Sequence, residues 1–158
     1  MNKNKTISSM QKTLKVFRKT LDTLNKEENL VLGGSTALNL HGINTNKMPE
    51  DLDVIIYLPT GGQLNFLKSI EDFSDFEQDT GYEQVYKFKK VKDDCTFTLD
   101  ILIEQCPLPE NLLLFKSESV LFKIQDINNI IAAKSSYGRE KDLKDLLHLK
   151  NLNFNPSK

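Results

Sequence analysis

The sequence has little of what several kinds of functional site require. It contains only two cysteines, Cys95 and Cys106, whose spacing fits neither a metal-binding motif nor a disulfide framework, and this favours a reducing, cytoplasmic setting. The only two histidines, His41 and His148, lie far apart, so a histidine-rich zinc site is not expected. No apolar run is long enough to cross a bilayer, and none follows the polar N-terminus, so we expect neither a membrane span nor a signal peptide.

An excess of charge of one sign is also missing. The 21 lysines and arginines nearly balance the 22 aspartates and glutamates, for a net charge of -1. This excludes a strongly basic surface over the whole chain and leaves only a local basic patch open. With 39% hydrophobic and 27% charged residues, the 158-residue chain has the composition of one globular domain. No repeat, low-complexity segment or linker divides it, so we predict a single domain over residues 1–158.

The apolar periodicity predicts an α+β fold, in which a mixed β-sheet is flanked by helices and the C-terminal part is short and helical. The first helix is expected to begin at Ser8 or Ser9 and to end near residue 24. Further helices are expected over about 36–41, 63–73, 127–138 and 140–150, and strands over 30–32, 52–58, 82–91, 96–103 and 120–124. In the last helix, Leu143, Leu146 and Leu147 are expected on the buried side.

A glycine turn joins the first predicted strand to the second predicted helix. Gly33 and Gly34 allow a tight turn and a close approach by a phosphate, because neither residue carries a Cβ atom. The free N–H groups at the start of the helix would point at that phosphate, and Ser35 would cap the helix and add a hydroxyl donor. The alternative is an ordinary strand-to-helix turn with a serine cap.

Two aspartates stand at the start of the next predicted strand. Asp51 and Asp53 are spaced i, i+2 and therefore point to the same face, where their like charges would repel unless a cation binds them. Mg²⁺ is usually held by one or two carboxylates together with substrate phosphates, so this pair would suffice. The alternative is two solvated aspartates at a strand start. We expect the neighbouring Glu50 to face solvent.

A third carboxylate, Asp100, interrupts an otherwise apolar predicted strand. An aspartate between apolar neighbours is costly unless it is paired or bound to a metal. The apolar alternation of the stretch FTLDILI places Asp100 on the face opposite to Leu99 and Ile101. Asp100 therefore becomes the third candidate for the site.

The combination resembles the nucleotidyltransferase superfamily that includes DNA polymerase beta. The matching stretches are LVLGGSTALNLHG, EDLDVII and FTLDILI, and the first two are most similar to AbiEii-type abortive-infection toxins and related small bacterial nucleotidyltransferases. That branch typically reads GGTAL and then EDLD. This chain has Ser35 as an additional residue after the glycines, and it has Met48 and Pro49 where relatives often carry Arg and Ser. Both departures affect how the residues of the phosphate-binding turn align with the family pattern.

A C-terminal segment extends the resemblance. Lys134 and the segment from Arg139 to Leu146, which contains Asp142, resemble the family's lysine-bearing helix and its Arg-x-Lys-Asp-x-x-Asp-Leu segment. The resemblance implies that Lys134 reaches the nucleotide phosphates and that the acids after it orient it. From the residues alone, Lys134 falls on or beside the buried stripe of its helix and needs a counter-charge, either a phosphate or an aspartate such as Asp142. A lysine that snorkels at the helix end is an equally open alternative.

The resemblance implies a Mg²⁺-dependent enzyme that moves a nucleoside monophosphate from an NTP to an acceptor hydroxyl. Residues 30–103 would form the catalytic core and residues 126–150 the C-terminal helices. Asp51, Asp53 and Asp100 would be the catalytic and metal-binding residues of a two-metal site, while the turn and Lys134 would bind the nucleotide. The acceptor would be an RNA end such as that of tRNA, a protein or a small molecule, and the chain would be the toxin of a toxin–antitoxin pair with an antitoxin partner. A non-catalytic nucleotide- or partner-binding module is the alternative.

Overall fold

The computed structural model describes residues 3–25, 29–43, 50–59, 76–78, 85–117 and 120–151. In chain order the elements are α1 (Lys3–Val16), α2 (Arg18–Leu24), β1 (Leu30–Leu32), α3 (Gly34–Leu40), β2 (Asp51–Tyr57), β3 (Phe76–Gln78), β4 (Val85–Lys92), β5 (Cys95–Glu104), β6 (Leu113–Ser117), β7 (Val120–Ile124), α4 (Ile127–Tyr137) and α5 (Glu140–Asn151). The fold is therefore α+β, as predicted. The helix expected over 63–73 lies outside the described residues. Within those ranges, none of the helices combines the length and the apolar character needed to cross a membrane.

The strands form one seven-stranded mixed sheet in the order β3-β4-β5-β2-β1-β7-β6. The pairs β2–β5 and β1–β7 are parallel, and the other neighbouring strands are antiparallel. The order brings β2 and β5 side by side, although 37 residues separate the end of β2 at Tyr57 from the start of β5 at Cys95. The two predicted aspartate-bearing strands are therefore direct neighbours.

The main hydrophobic core lies on one face of the sheet. Helices α1 and α2 contribute Met10, Leu14 and Leu21 to this core, among others, and the central strands contribute alternate side chains. In β5 these are the residues Phe97, Leu99, Ile101 and Ile103. Because side chains alternate along a strand, burying these residues turns Asp100 to the opposite face. That face carries the polar site.

The N-terminal helical segment differs from the prediction of one helix that begins at Ser8 or Ser9. It begins at Lys3 and is divided at Phe17, which separates α1 from α2. The Phe17 side chain is buried, and its ring centroid lies 5.8 Å from that of Phe88 on β4. Neither glycine nor proline marks the division in the sequence, so the helical periodicity gave no signal for it.

Two strands were missing from the prediction, and one turn is tighter than expected. The short strand β3 and the edge strand β6 were not predicted; in β6, Leu113 and Leu114 are both exposed and the usual alternation is absent. The predicted hairpin is confirmed, but its turn contains only Asp93 and Asp94, whose φ angles are 53° and 62°. Such left-handed pairs are typical of two-residue hairpin turns.

The buried side of the last helix was predicted wrongly for two of its three leucines, since only Leu146 packs, partly buried, against the core. Leu143 and Leu147 are 56% and 59% exposed, whereas Leu149 is buried against α4 and Asp142 is also buried. Spacing of apolar residues alone favoured the leucine stripe. The structure instead turns the Asp142 side of α5 inward, because Lys134 on α4 is buried there and requires a negative partner.

Candidate active site

The three predicted aspartates lie on one face of two neighbouring strands. Asp53 on β2 lies directly opposite Asp100 on β5, and Asp51 lies opposite Thr98 in the same register. Neighbouring strands are about 4.8 Å apart, so Asp53 and Asp100 are close neighbours across the sheet. All three aspartates line one cavity of about 570 Å³. The sequence-based placement of Asp100 with the pair is therefore confirmed as geometry, while the chemical roles stay predictions.

The glycine turn packs against Asp53, and its N–H groups are bound within the protein. The Gly33 N–H donates to the Asp53 carbonyl oxygen at 3.1 Å, and the Gly34 N–H donates to Gln125 Oε1 at 2.9 Å. The Ser35 N–H donates to Asp53 Oδ2 at 3.2 Å. The N–H groups that were expected to face a phosphate therefore hold an aspartate and a glutamine in this structure.

Both glycines lie where a larger residue would contact neighbouring side chains, and Gly34 also has a left-handed backbone. Gly34 has a φ of +53°, and a Cβ atom there would lie 3.0 Å from Asp53 Oδ2. A Cβ atom on Gly33 would lie 2.6 Å from Ile55 Cδ1 and 2.8 Å from Gln125 Oε1. Gly34 and Ser35 line the cavity, whereas Gly33 is not among its lining residues. The glycines thus allow the turn to approach the Asp53 carboxylate.

Ser35 does not cap the second helix, contrary to the prediction. The helix begins at Gly34, two residues earlier than predicted, and its N-cap is Gly33, which has no side chain to cap it. The Ser35 side chain is buried, and its hydroxyl donates to Asp145 Oδ2 at 3.4 Å. The neighbouring Thr36 hydroxyl accepts a hydrogen bond from the Asp53 N–H at 2.7 Å. The turn is thereby connected both to β2 and to the last helix.

Lys134 lies on the wall of the cavity that faces the sheet. It is 6% exposed, so it does not snorkel. Its Nζ atom lies 2.7 Å from Asp145 Oδ2 and 3.6 Å from Asp142 Oδ1. From the residues alone only Asp142 was named as a counter-charge, but Asp145, the nearer partner, is the second of the acids that the resemblance expected to orient Lys134. Because Asp145 also accepts from the Ser35 hydroxyl, one carboxylate links Lys134 to the glycine turn.

Arg139 and Asp142 complete this buried charge cluster. The Arg139 Nε and Nη2 atoms lie 2.6 Å and 3.2 Å from the two carboxylate oxygens of Asp142. Burial acts to raise the pKa of Asp142, but the hydrogen bonds and charge of Arg139, together with the charge of Lys134, outweigh it and hold the pKa below its ordinary value. With Lys134 and Asp145, the cluster contains two positive and two negative groups.

Two site residues were not found from the sequence: Gln125 and Lys87. Gln125 follows β7 and carries no sequence signal. Asp145 is the second aspartate of the Arg-x-Lys-Asp-x-x-Asp-Leu segment, whose acids the resemblance expected to orient Lys134, and it lies on the same face of α5 as Asp142. Lys87 lies opposite Asp100 in the β4–β5 register, with its Nζ atom 3.9 Å from Asp100 Oδ1. A correct two-residue turn would have predicted that pairing.

The donor set fits a hard divalent cation. Among the residues that the structure describes, no three carboxylate, histidine or cysteine side chains are grouped as a preassembled metal site. Asp51, Asp53 and Asp100 nevertheless present carboxylate oxygens on one face of one cavity. Because Mg²⁺ commonly takes one or two carboxylates and completes its shell with substrate phosphates and water, two of these three aspartates would suffice to hold it.

Comparisons with known proteins give two structural similarities. The first is to a crystal structure of the JHP933 protein from Helicobacter pylori, whose sequence is 23% identical to this one. The two structures superpose with a TM-score of 0.45, and the match covers 92% of this chain and 63% of the JHP933 chain. A second H. pylori protein, assigned by inference as a nucleotidyltransferase, is 24% identical, with a TM-score of 0.41, and 84% of this chain and 56% of that one are covered. The chain thus spans less than two thirds of either protein. No protein-family profile and no curated protein matches the sequence.

Proposed function

We propose that this protein transfers a nucleoside monophosphate from an NTP to an acceptor hydroxyl, with Mg²⁺ as its cofactor. One observation carries the proposal: Asp53 and Asp100 are direct neighbours on the same sheet face as Asp51, inside a cavity that also contains Lys134. Neighbouring carboxylates are unfavourable without a cation, and a cavity with carboxylates on one wall and a buried lysine on another suits a metal–triphosphate substrate.

In this proposal each residue has a distinct task. Asp51, Asp53 and Asp100 would hold Mg²⁺, which when bound neutralises charge on the triphosphate. Asp100 would accept the proton of the acceptor hydroxyl as its oxygen forms a bond to the α-phosphorus. The bond from the α-phosphorus to the bridging oxygen breaks, and pyrophosphate leaves. Such a reaction depends mainly on positioning and charge neutralisation.

The phosphates would be bound by side chains more than by the turn's backbone. The N–H groups of Gly34 and Ser35 already donate to Gln125 and Asp53. The Ser35 hydroxyl and the Lys134 ammonium are therefore the proposed phosphate contacts. Both touch Asp145 in this structure, so a phosphate at this position would compete with the Asp145 carboxylate.

The test is label transfer. The protein is incubated with Mg²⁺, each α-labelled NTP in turn, and a cell extract fractionated into RNA, protein and small molecules. We expect label in one fraction together with released pyrophosphate. Asp100→Asn should reduce transfer by about 10²–10⁴-fold, the usual contribution of a general base. Asp53→Asn should abolish it.

A matched control separates the site from general effects of charge. Asp94→Asn removes a carboxylate from the exposed β4–β5 turn, where asparagine tolerates the left-handed backbone, and should leave transfer unchanged. Wild-type transfer by a folded Asp100→Asn variant would refute the assigned role of Asp100. Absence of transfer from every NTP to every fraction would contradict the proposed activity.

Two observations favour a second candidate, a binding module without catalysis. The N–H groups of the glycine turn are engaged within the protein, and no preassembled metal site exists in the described part of the chain. Such a module would bind an α-labelled NTP at equilibrium and transfer none of it. The acceptor, a toxin role and an antitoxin partner stay predictions. A growth assay that compares expression of the wild type with Asp53→Asn would test toxicity.

A further inference from the structure

We infer that Lys87 is an internal counter-ion of Asp100 that a divalent cation must displace, so that Lys87 sets the affinity of the site for metal. The inference rests on the proposed function in one respect, since it takes Asp100 as a metal-binding residue. It adds a residue that the sequence motifs do not contain, on a strand that carries no motif.

The strand register places Lys87 in one polar row with the carboxylates. Lys87 on β4 lies opposite Asp100 on β5, which in turn lies opposite Asp53 on β2. On its other side, the register pairs Lys87 with Glu77 on β3. From β3 to β2 the row therefore reads acidic, basic, acidic, acidic, and Lys87 is its one basic position.

The contact between Lys87 and Asp100 is of a kind that a metal ion can replace. The Lys87 Nζ atom lies 3.9 Å from Asp100 Oδ1, and the side chains are 40% and 19% exposed. A partly exposed ion pair at this distance is weak, and the lysine side chain is flexible. Asp100 is fixed within the sheet, so the ammonium and not the carboxylate would move.

The other cations that line the cavity have different partners. Lys134 contacts Asp142 and Asp145, Arg139 contacts Asp142, and Lys144 lies near Glu140. The Lys87 pair, in contrast, involves a carboxylate of the predicted metal site. A divalent cation and the Lys87 ammonium would therefore compete for Asp100, and metal binding should strengthen when that ammonium is removed.

The experiment measures Mn²⁺ binding to the full chain without nucleotide, from the electron paramagnetic resonance signal of free Mn²⁺. Lys87→Met keeps a long side chain and removes the charge. We expect it to tighten Mn²⁺ binding by about two- to fivefold, the change that corresponds to loss of a partly exposed ion pair. Lys89→Met is the matched control, because Lys89 lies two residues along the same face, is exposed, and pairs in register with Thr98. It should tighten binding by less than about 1.5-fold, because an exposed charge further away is screened.

Three results would overturn the inference. The first is Mn²⁺ binding by Lys87→Met that is equal to or weaker than that of the wild type. The second is an equal increase in Mn²⁺ affinity in Lys89→Met, which would indicate that any positive charge on this face of β4 weakens Mn²⁺ binding. The third is tightening by Lys87→Met in an Asp100→Asn background, where no pair exists to break. If only this inference fails, nucleotidyl transfer persists; if no variant and no wild-type protein binds Mn²⁺, the inference fails together with the metal site of the proposed function.

Discussion

Replacing Asp142 by asparagine should destabilise the protein strongly, although Asp142 is not one of the proposed catalytic residues. The side chain is 1% exposed and accepts from two nitrogen atoms of the Arg139 guanidinium, at 2.6 Å and 3.2 Å. Its other neighbour is the Lys134 ammonium at 3.6 Å. Asparagine has nearly the same shape, so the substitution removes charge with little change in packing. The experiment therefore isolates the electrostatic contribution of one buried carboxylate.

The size of the effect follows from what remains after the charge is lost. Removing one partner of a buried ion pair typically costs about 3–5 kcal/mol, because the remaining charge is buried without compensation. Here Lys134 keeps Asp145 at 2.7 Å, and the Arg139 side chain is 27% exposed. Both facts reduce the penalty, so we expect the low end of the range, about 3 kcal/mol. That is a large share of the roughly 5–15 kcal/mol by which a domain is stable.

Urea unfolding followed by circular dichroism measures this loss. Glu140→Gln is the matched control on the same helix, because Glu140 and Lys144 form an exposed i, i+4 pair at 3.6 Å. Such pairs contribute about 0.3–0.5 kcal/mol, so the control should stay within that range. If Asp142→Asn lowers the free energy of unfolding by less than about 1 kcal/mol, the cluster contributes no more than surface ion pairs do, and the reasoning is refuted.

Other predictions concern acid stability, the glycine turn and Tyr57. The pKa of Asp142 is lowered in the folded state, so the ionised carboxylate should stabilise the protein fully above the ordinary carboxyl pKa. This stabilisation should be lost as pH falls through the pKa of the folded state. The difference in unfolding free energy between the wild type and Asp142→Asn should therefore shrink as pH is lowered. Gly138→Ala meets no atoms within 4 Å and should cost about 1–2 kcal/mol in urea unfolding from its left-handed φ of 62° alone. Gly34→Ala should cost more, since its Cβ atom would also lie 3.0 Å from Asp53 Oδ2. Burial, and to a smaller extent the charges of Cys106 and Glu104, raises the pKa of Tyr57 to about 12. In an ultraviolet titration, Tyr57→Phe should therefore lose the absorbance change of one phenol that ionises near that pH.

The sequence predicted those parts of the site that depend on local alternation. Asp53 and Asp100 interrupt apolar strands, and burial of their neighbours places both on the opposite face. Their meeting across the sheet also required that β2 and β5, which are far apart in sequence, be adjacent and in this parallel register. The position of Lys87 opposite Asp100 depends only on the two-residue turn between β4 and β5, so a short window of sequence contains it. Gln125, by contrast, reaches the site through the long-range pairing of β1 with β7, which no short window contains.

The last helix shows why hydrophobic spacing can mislead. Leu143 and Leu147 predicted a buried stripe, but they are exposed, and the inward side contains Asp142 and Leu149. Two kinds of contact accompany this orientation: Leu149 and Leu146 pack against α3 and α4, and Asp142 supplies the carboxylate that the buried Lys134 on α4 requires. A prediction that treats Asp142 only as a solvated surface charge therefore assigns the wrong face of the helix to the core.

The glycine turn is better explained by its approach to Asp53 than by a free backbone cradle for phosphate. If the turn existed chiefly to present N–H groups to a phosphate, those groups would be expected to face the cavity without protein partners. Instead, the Ser35 N–H donates to the Asp53 carboxylate, and the Gly34 N–H donates to Gln125. A side chain at Gly34 would press on the same carboxylate. The turn therefore orients Asp53, and substitutions at Gly34 should impair metal binding at least as much as nucleotide binding. Equal Mn²⁺ affinity in Gly34→Ala and wild type, measured without nucleotide, would contradict this.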